Sequence, residues 1–418
     1  MIKTYCIITP QVSNMGGAQL YCLRRVNYLL KNGYNVKLIV GNDENFILEN
    51  EFKATSILKI DEITEPLFIV SRQKTQQILS KIKEFLRDED VIFESHLPAL
   101  AIWGELIAKE LKSKHIIYFL IEVSIKDFRY FQIKDYFIWK LKRNECYGVS
   151  NISLKLIFGE YFDEKYNNYI NIGFDINELT ENTNPDFLKE IPPHDFIIGT
   201  VARLSKTYIT ELINSSIKLS LKYPDLRFLL IIAGNDPDAS ILSRLRKKYL
   251  TNNNFSILFP GYINPIGKDF FRYLDVFVGM GTASVNSIAQ KCATINIDPR
   301  TNLASGIFGV NNFNFAYDVS GTSLPIHKYL EKFIDNENLI EQAGINGYNL
   351  YKKEFDLVGC MNKFDFLIKS SNSTKKYWSF SNSYINNNCL KVIKYNFIKT
   401  IFFSKTYPYY RIIKNMKN

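Results

Sequence analysis

Two rhythms of apolar and polar positions take turns along the chain: short apolar runs, and longer stretches with apolar residues at helical spacing. Residues 2–9 are an apolar run broken by Pro10 and followed by Ser13-Asn14-Met15-Gly16-Gly17-Ala18. From Gln19 onward Leu20, Leu23, Val26, Leu29 and Leu30 recur at helical spacing, Asn32-Gly33 stops them, and a second apolar run covers residues 35–40. This predicts a strand–helix–strand unit with glycines in its first crossover, as in a parallel sheet that binds a ligand at its strand ends. No GxGxxG is present, which argues against a nicotinamide dinucleotide.

The same alternation predicts strands at 90–96, 115–120 (ending at Glu122) and 147–150, with a helix over 100–111. Residues 181–194, carrying Pro185, Pro192 and Pro193, read as a linker. The rhythm then restarts. Strands are expected at 196–201, 227–233, 255–258, 273–278 and 293–297, with helices near 211–222 and 240–250. The fold class predicted is α/β, two doubly wound parallel-sheet domains facing across a cleft. The boundaries expected are 1–180 for the first domain and 195–355 for the second. A return helix over 356–372 and a tail over 373–418 complete the chain.

Composition changes this picture at one end only. The 418 residues carry a net charge of +10. The tail holds Lys375, Lys376, Lys391, Lys394, Lys399, Lys405, Arg411, Lys414 and Lys417 without one acidic residue, which leaves the body at about +1. Tyr377, Trp378, Phe380, Tyr384, Tyr395, Phe397 and further aromatics are interleaved with those cations. Three roles stay open for this tail: docking on an anionic membrane surface, packing on the body of the protein, and binding nucleic acid. No RNA-binding signature supports the last, and no nucleic-acid partner is expected.

No apolar run approaches the ~20 residues that span a bilayer. The first residues are too short and mixed for a signal peptide, so a cytoplasmic location is expected. Six scattered cysteines without a CxxC pair, and four histidines without ligand spacing, predict no metal site.

Candidate chemistry gathers around Gly279-Met280-Gly281-Thr282, where an apolar run meets a helix-like stretch. Such a junction favours anions, because unpaired N–H groups and the helix dipole face outward and glycine leaves room for a phosphate. Thr282 is expected to cap the helix with its hydroxyl. An ordinary buried strand followed by a helix would read the same way. Arg203 and Lys206 follow a predicted strand end, where they reach a ligand or serve as solvated loop charges. His96 and Glu122 stand at two earlier strand ends, as ligand contacts or as a satisfied core histidine and a helix cap. Asp236-Pro237-Asp238 reads as turn and capping chemistry, not a metal site.

Taken in order over about residues 1–370, these segments resemble the retaining GT-B glycosyltransferases, close to glycosyltransferase family 4. Gly16-Gly17-Ala18 is similar to the family's glycine loop, Asn171-Ile172-Gly173-Phe174-Asp175 to its "NGxD", and Val201 to Lys206 to its "GRLxxxK". Phe259-Pro260-Gly261-Tyr262 resembles the loop beside the donor base, and Gly279 through Ile295 the donor segment "GMGTxxxEAxxxGxPxI". The resemblance implies a nucleotide-sugar donor, UDP- or GDP-linked, with no cofactor and no metal. It assigns donor binding to Gly16, Gly17, Tyr262, Gly281, Thr282 and Asn286, and catalysis to His96, Glu122, Arg203 and Lys206. The sequence departs from the pattern where Tyr208 takes the usual lysine's place, and where Asn286 and Val278 fall on positions of the family's glutamates.

The activity implied is hexosyl transfer with retention to a glycan acceptor linked to undecaprenyl diphosphate. The setting is bacterial surface polysaccharide (O-antigen, capsule), with the tail on the inner face of the cytoplasmic membrane. Alternatives are a catalytically degenerate GT-B protein that binds a glycan or a partner, and a sugar-nucleotide epimerase.

Overall fold

The computed structural model describes residues 3–12, 17–41, 52, 55–87, 90–120, 133–163, 165, 168–179, 191–234, 240–248, 254–263, 266–314, 317, 321–371 and 376–380. They form two units, one from the described residues of 1–169 and 366–380, the other from Ile170–Asp365.

Unit 1 begins with β1 (Thr4–Thr9), α1 (Gly17–Lys31), β2 (Asn35–Val40) and β3 (Ser56–Lys59). It continues through α2 (Arg72–Leu86), β4 (Val91–Ser95), α3 (Pro98–Glu110), β5 (Lys114–Phe119), α4 (Lys134–Lys142), β6 (Cys146–Gly148) and α5 (Asn151–Phe158). The sheet order is β3-β2-β1-β4-β5-β6, all parallel. Every residue of β1 is buried, because both faces of a parallel sheet are covered by crossover helices. The chain leaves β1 in one direction and returns to β4 on its other side, so β1 and β4 flank the topological switch point.

The predicted strand at 147–150 is shorter than expected. Ser150 leaves β6 to form a reciprocal capping box with Ser153 at the start of α5. β3 and α2 are additions to the expected elements. β3 is four residues with none buried, and α2 buries only Thr75, Ile78, Leu79, Ile82 and Leu86 in a polar sequence.

Beneath α3 and α4 lies a buried ionic cluster. Lys140 Nζ stands 2.7 Å from Glu105 Oε2 and 3.0 Å from Glu145 Oε2, and donates to the His115 carbonyl at 2.9 Å. The network assigns His115 the Nδ1–H tautomer: Nδ1 faces Glu105 Oε2 at 3.0 Å, and Nε2 faces the Ser95 hydroxyl at 2.9 Å. Burial and the Lys140 charge pull the His115 imidazolium down to about 4. Burial pushes the Glu105 carboxyl up, but Lys140 and His115 outweigh it and hold it at about 2.

Both groups bind protons more readily in the unfolded chain, so both contribute stability that is lost on acidification. His115 acts as pH falls from about 6.5 to about 4, and Glu105 from about 4.5 to about 2. For His115 the loss is on the order of 3 kcal/mol. Melting curves of unit 1 are therefore expected to shift down steadily between pH 7 and pH 4. A flat profile there would contradict the burial of His115.

The first tail residues belong to this face. Trp378 N–H donates to Glu105 Oε1 at 2.8 Å, and Tyr377, Trp378 and Phe380 pack on the unit 1 core. The Trp378 ring lies 5.6 Å from Trp139, and Phe380 5.2 Å from Tyr136. Of the three roles open for the tail, packing on the body holds for residues 376–380. The rest of the tail lies outside the described residues.

Unit 2 contains β7 (Phe196–Val201), α6 (Tyr208–Lys222), β8 (Phe228–Ala233), α7 (Ser240–Lys248), β9 (Phe255–Gly261) and α8 (Lys268–Arg272). Then come β10 (Val276–Gly279), α9 (Thr282–Ala289), β11 (Ala293–Ile297), β12 (Ala304–Ile307), α10 (Ile326–Ile334) and α11 (Asn338–Leu350). A π-helical turn over Tyr351–Phe355 leads into α12 (Leu357–Ser370). Residues 171–175 pack within this unit: Phe174 N–H donates to Phe355 O at 2.9 Å and Asn171 Nδ2 to Glu354 O at 3.0 Å.

The sheet order is β12-β11-β10-β7-β8-β9. One departure from the expected parallel sheet is β12, which runs antiparallel to β11. The two strands are joined by residues 298–303 alone, and a parallel return needs a crossover of a dozen residues or more. The core occupies both faces of this sheet, with Ile198, Leu230, Val276 and Ile295 on one side and Ile197, Leu229, Phe277 and Ile288 on the other.

Candidate functional site

In unit 2 the chain reverses between β7 and β10, so the loops following these two strands border the switch point. That is where ligands of open α/β sheets bind. The loop after β7 is pressed against the end of β8. Gly234 has φ +152°, and a Cβ there would lie 1.8 Å from the Ala202 carbonyl oxygen. Gly234→Ala is expected to cost several kcal/mol, about 3 or more, because the clash is with backbone. Urea unfolding of the variant measures it, and a loss under about 1 kcal/mol would show that the loop moves aside at little cost.

Beyond Ala202 the loop turns, with Lys206 N–H donating to Arg203 O at 3.0 Å. Arg203 is exposed, while Lys206 is half-buried and its Nζ lies 3.6 Å from Met280 Sδ. This contact brings the Lys206 ammonium onto the β10–α9 turn. On the other side of that loop Thr207 Oγ1 donates to Asn302 Oδ1 at 2.6 Å, tying it to the residues that follow β11.

The turn itself departs from expectation in one detail. Gly281, not Thr282, is the cap residue of α9; Thr282 is the first helical residue, and no side chain caps the helix. Gly281 has φ +67°, a left-handed value that glycine adopts without penalty, so the chain enters the helix without help from a hydroxyl. The first backbone bond of α9 is Val285 N–H to Gly281 O at 3.3 Å. The amides of Thr282, Ala283 and Ser284 precede it and have no intrahelical acceptor.

Asn286 sits one turn in, half-buried, and its Oδ1 is buried without a hydrogen-bond partner, as is the Ser284 hydroxyl. An orphaned acceptor of this kind costs about 1–3 kcal/mol unless a ligand or water satisfies it. Tyr262, immediately after β9, is 58% exposed.

Three residues that the sequence reading passed over stand at the carboxyl end of β11: Asp298, Arg300 and Asn302. Asp298 is fully buried, and Arg300 Nε donates to its Oδ1 at 2.9 Å. The signal for them was an Asp-Pro-Arg sequence directly after a predicted strand.

Unit 1 offers the second set. Gly17 is the first residue of α1, whereas Gly16 and Glu122 lie outside the described residues. His96, just past β4, is 2% exposed, and both of its ring nitrogens face side chains of the same unit, as in a satisfied core histidine. Its Nε2 is 2.8 Å from Glu94 Oε1, and its Nδ1 is 3.3 Å from Oγ1 of Thr9, the last residue of β1. His96 thus bridges the two strands of this unit's switch point. Asp236 and Asp238 also fall outside the described residues. Among the described residues no group of three or more His, Cys, Asp or Glu could hold a metal ion.

No protein-family model matches the sequence, and no curated protein matches it at a significant level. Solved structures do. HepE from Anabaena, in complex with UDP, superimposes with a TM-score of 0.65 at 14% identity, over 88% of this chain and 100% of that one. A glycosyltransferase from Rickettsia africae gives 0.65 at 16% identity, covering 88% and 98%. Sucrose-phosphate synthase from Thermosynechococcus elongatus gives 0.59 at 10% identity, again over 88% and 98%. At such identities the likeness defines the fold: the chain has the GT-B fold of these proteins.

Proposed function

We propose that the chain is a glycosyltransferase that takes a sugar from a nucleoside diphosphate, with the diphosphate held in unit 2 over the β10–α9 turn. The observation that carries this reading is the Lys206–Met280 contact. It places a cation beside a helix N-terminus whose first amides lack intrahelical acceptors, with Arg203 three residues away. Breaking the bond between the anomeric carbon and the β-phosphate oxygen leaves negative charge on the departing diphosphate. Cations and amides already in place stabilise that charge without reorganising.

UDP is the nucleotide to test first, since HepE, similar in fold, is described with UDP and with UDP-glucose. The finer parts of the proposal rest on the family resemblance and on the tail. They are a hexosyl donor, retention, no metal requirement, and a lipid-linked glycan acceptor of a bacterial surface polysaccharide. The basic aromatic residues beyond Phe380 would meet the anionic inner face of the cytoplasmic membrane. No helix of the described residues is long and apolar enough to cross a membrane.

Asn286 favours a second reading. A neutral amide where the resembling family has a carboxylate is a weaker acceptor for ribose hydroxyls, as in a protein that binds a nucleotide sugar or glycan and no longer transfers.

Thermal melts with UDP-, GDP-, ADP- and CMP-sugars, without metal, on wild type and Arg203→Ala test the proposal. A ligand at 100 times its Kd stabilises the native state by about 2.7 kcal/mol, or about 5–10 °C for a unit of this size. One nucleotide class is expected to raise the wild-type melting temperature and to lose most of that effect in the variant. No response to any nucleotide would overturn the donor site. A response without turnover would support the second reading.

A further inference from the structure

The described part of the C-terminal segment is fastened to unit 1 along its length. At the end of α12, Lys114 Nζ donates to the Ile368 carbonyl at 2.5 Å and Tyr147 Oη to the Leu367 carbonyl at 3.2 Å. Further on, Trp378 N–H donates to the buried Glu105 carboxylate, and Lys109 Nζ donates to Ser379 Oγ at 3.2 Å. The Trp378 ring lies against Trp139 of α4, and Phe380 against Tyr136. A main-chain bond to a buried anion gives this segment a fixed place on the α3–α4 face. Residues 381–418 start from that face and carry seven basic residues and no acidic one.

The face itself is aromatic and basic. Trp139 and Trp378 are half-buried, so part of each ring stays open to the outside. Lys109, Lys142 and Lys376 are exposed around them, and the Arg143 guanidinium stands 4.7 Å from the Trp139 ring centre. The exposed acids of α3 and α4 are Glu110 and Asp135; Glu105 and Glu145 lie buried beneath, offset by Lys140 and Arg143. Tryptophan beside lysine suits a headgroup layer, where the ring sits between water and hydrocarbon and the ammonium groups meet phosphates.

We propose that the α3–α4 face of unit 1, with Trp139, Trp378 and the lysines around them, rests on an anionic phospholipid surface as one continuous contact with the basic tail. This deepens the membrane part of the function proposed above and rests on it. A tail attached through a loose chain would leave unit 1 to tumble above the lipid. Fastened at Glu105, the cations of the tail and of the face act on the same surface together. Stacking of nucleic-acid bases needs open ring faces, whereas Arg143 and Trp378 already crowd the Trp139 ring, at 4.7 and 5.6 Å.

The chain's own tryptophans read this contact. Of the three, Trp103 is fully buried, so emission changes on binding come from Trp139 and Trp378. The full chain is mixed with vesicles of phosphatidylcholine alone or with phosphatidylglycerol, with and without brominated acyl chains. It is expected to sediment with the phosphatidylglycerol vesicles only, and the brominated chains are expected to quench its emission. A double variant, Trp139→Phe with Trp378→Phe, is expected to sediment still and to lose the quenching. Lys142→Glu changes an exposed side chain and is expected to weaken vesicle affinity about fivefold or more.

Sedimentation without quenching, or an unchanged affinity in Lys142→Glu, would mean that the tail alone meets lipid. Either result overturns the assignment of this face and leaves the membrane reading of the tail intact. Failure to sediment with anionic vesicles overturns both, and salt-sensitive binding of a single-stranded oligonucleotide in its place would turn the tail toward nucleic acid. No arm of the experiment contains a nucleotide sugar, so the donor site in unit 2 stands or falls on the thermal melts alone.

Discussion

Lys206→Ala is expected to slow sugar transfer by about two to three orders of magnitude, the usual cost of removing one fixed donor from a developing oxyanion. Lys206 is placed by packing. Its half-buried ammonium rests 3.6 Å from the Met280 sulfur, and the loop that carries it is pinned by the Thr207–Asn302 bond. Neither constraint needs the lysine charge, so the melting temperature of the unliganded variant should stay within about 2 °C of wild type.

Arg203 would act on the same diphosphate from an exposed position. The double variant should then lose much less than the product of the two single losses, because groups that serve one charge are not additive. UDP release from the donor found by the melts is the measurement. Activity within tenfold of wild type in Lys206→Ala would place that lysine outside the donor site, whatever the fate of Arg203.

What the sequence revealed of this fold is what hydrophobic periodicity controls. The buried parallel strands β1, β4, β5, β7, β8, β10 and β11 are near-continuous apolar runs and were legible as such. The half-exposed β3 and the polar α2 were not, since neither repeats strongly enough to stand out. The antiparallel β12 is set by the shortness of its connection to β11, a feature of chain length and not of pattern.

Candidate site residues divide in the same way. Gly281 and Arg203 could be read from a strand–turn–helix junction, because their position relative to the strand end is local. The Lys206–Met280 contact joins residues 74 apart in the chain, and Glu94, the buried partner of His96, looks in sequence like one polar residue in a strand. Its other partners Tyr5, Tyr21 and Arg25 lie 69 or more residues away, and no local spacing announces them.

Lys140→Met should be the most destabilising of the substitutions in unit 1, by about 3–5 kcal/mol at pH 7, since it removes the cation from a buried pair of carboxylates. Glu145 keeps Arg143, whose Nη2 is 2.7 Å from its Oε1. Glu105 keeps neutral partners, the His115 ring, the Trp378 N–H and the Tyr136 hydroxyl, and none of the three is a cation. The pH dependence separates lost charge from lost packing. In wild type the carboxyl of Glu105 is held at about 2 and the imidazole of His115 at about 4, and Lys140 contributes to both.

Without that cation the Glu105 carboxyl rises and the His115 imidazolium becomes easier to form. The variant then loses less on acidification than wild type does. The gap between the two unfolding free energies should therefore be widest near pH 7 and narrow steadily toward pH 4. A gap constant across that range would mean that Lys140 acts through its aliphatic stem. The acid sensitivity of unit 1, and the hold of Glu105 on the Trp378 amide, would then need another source of charge.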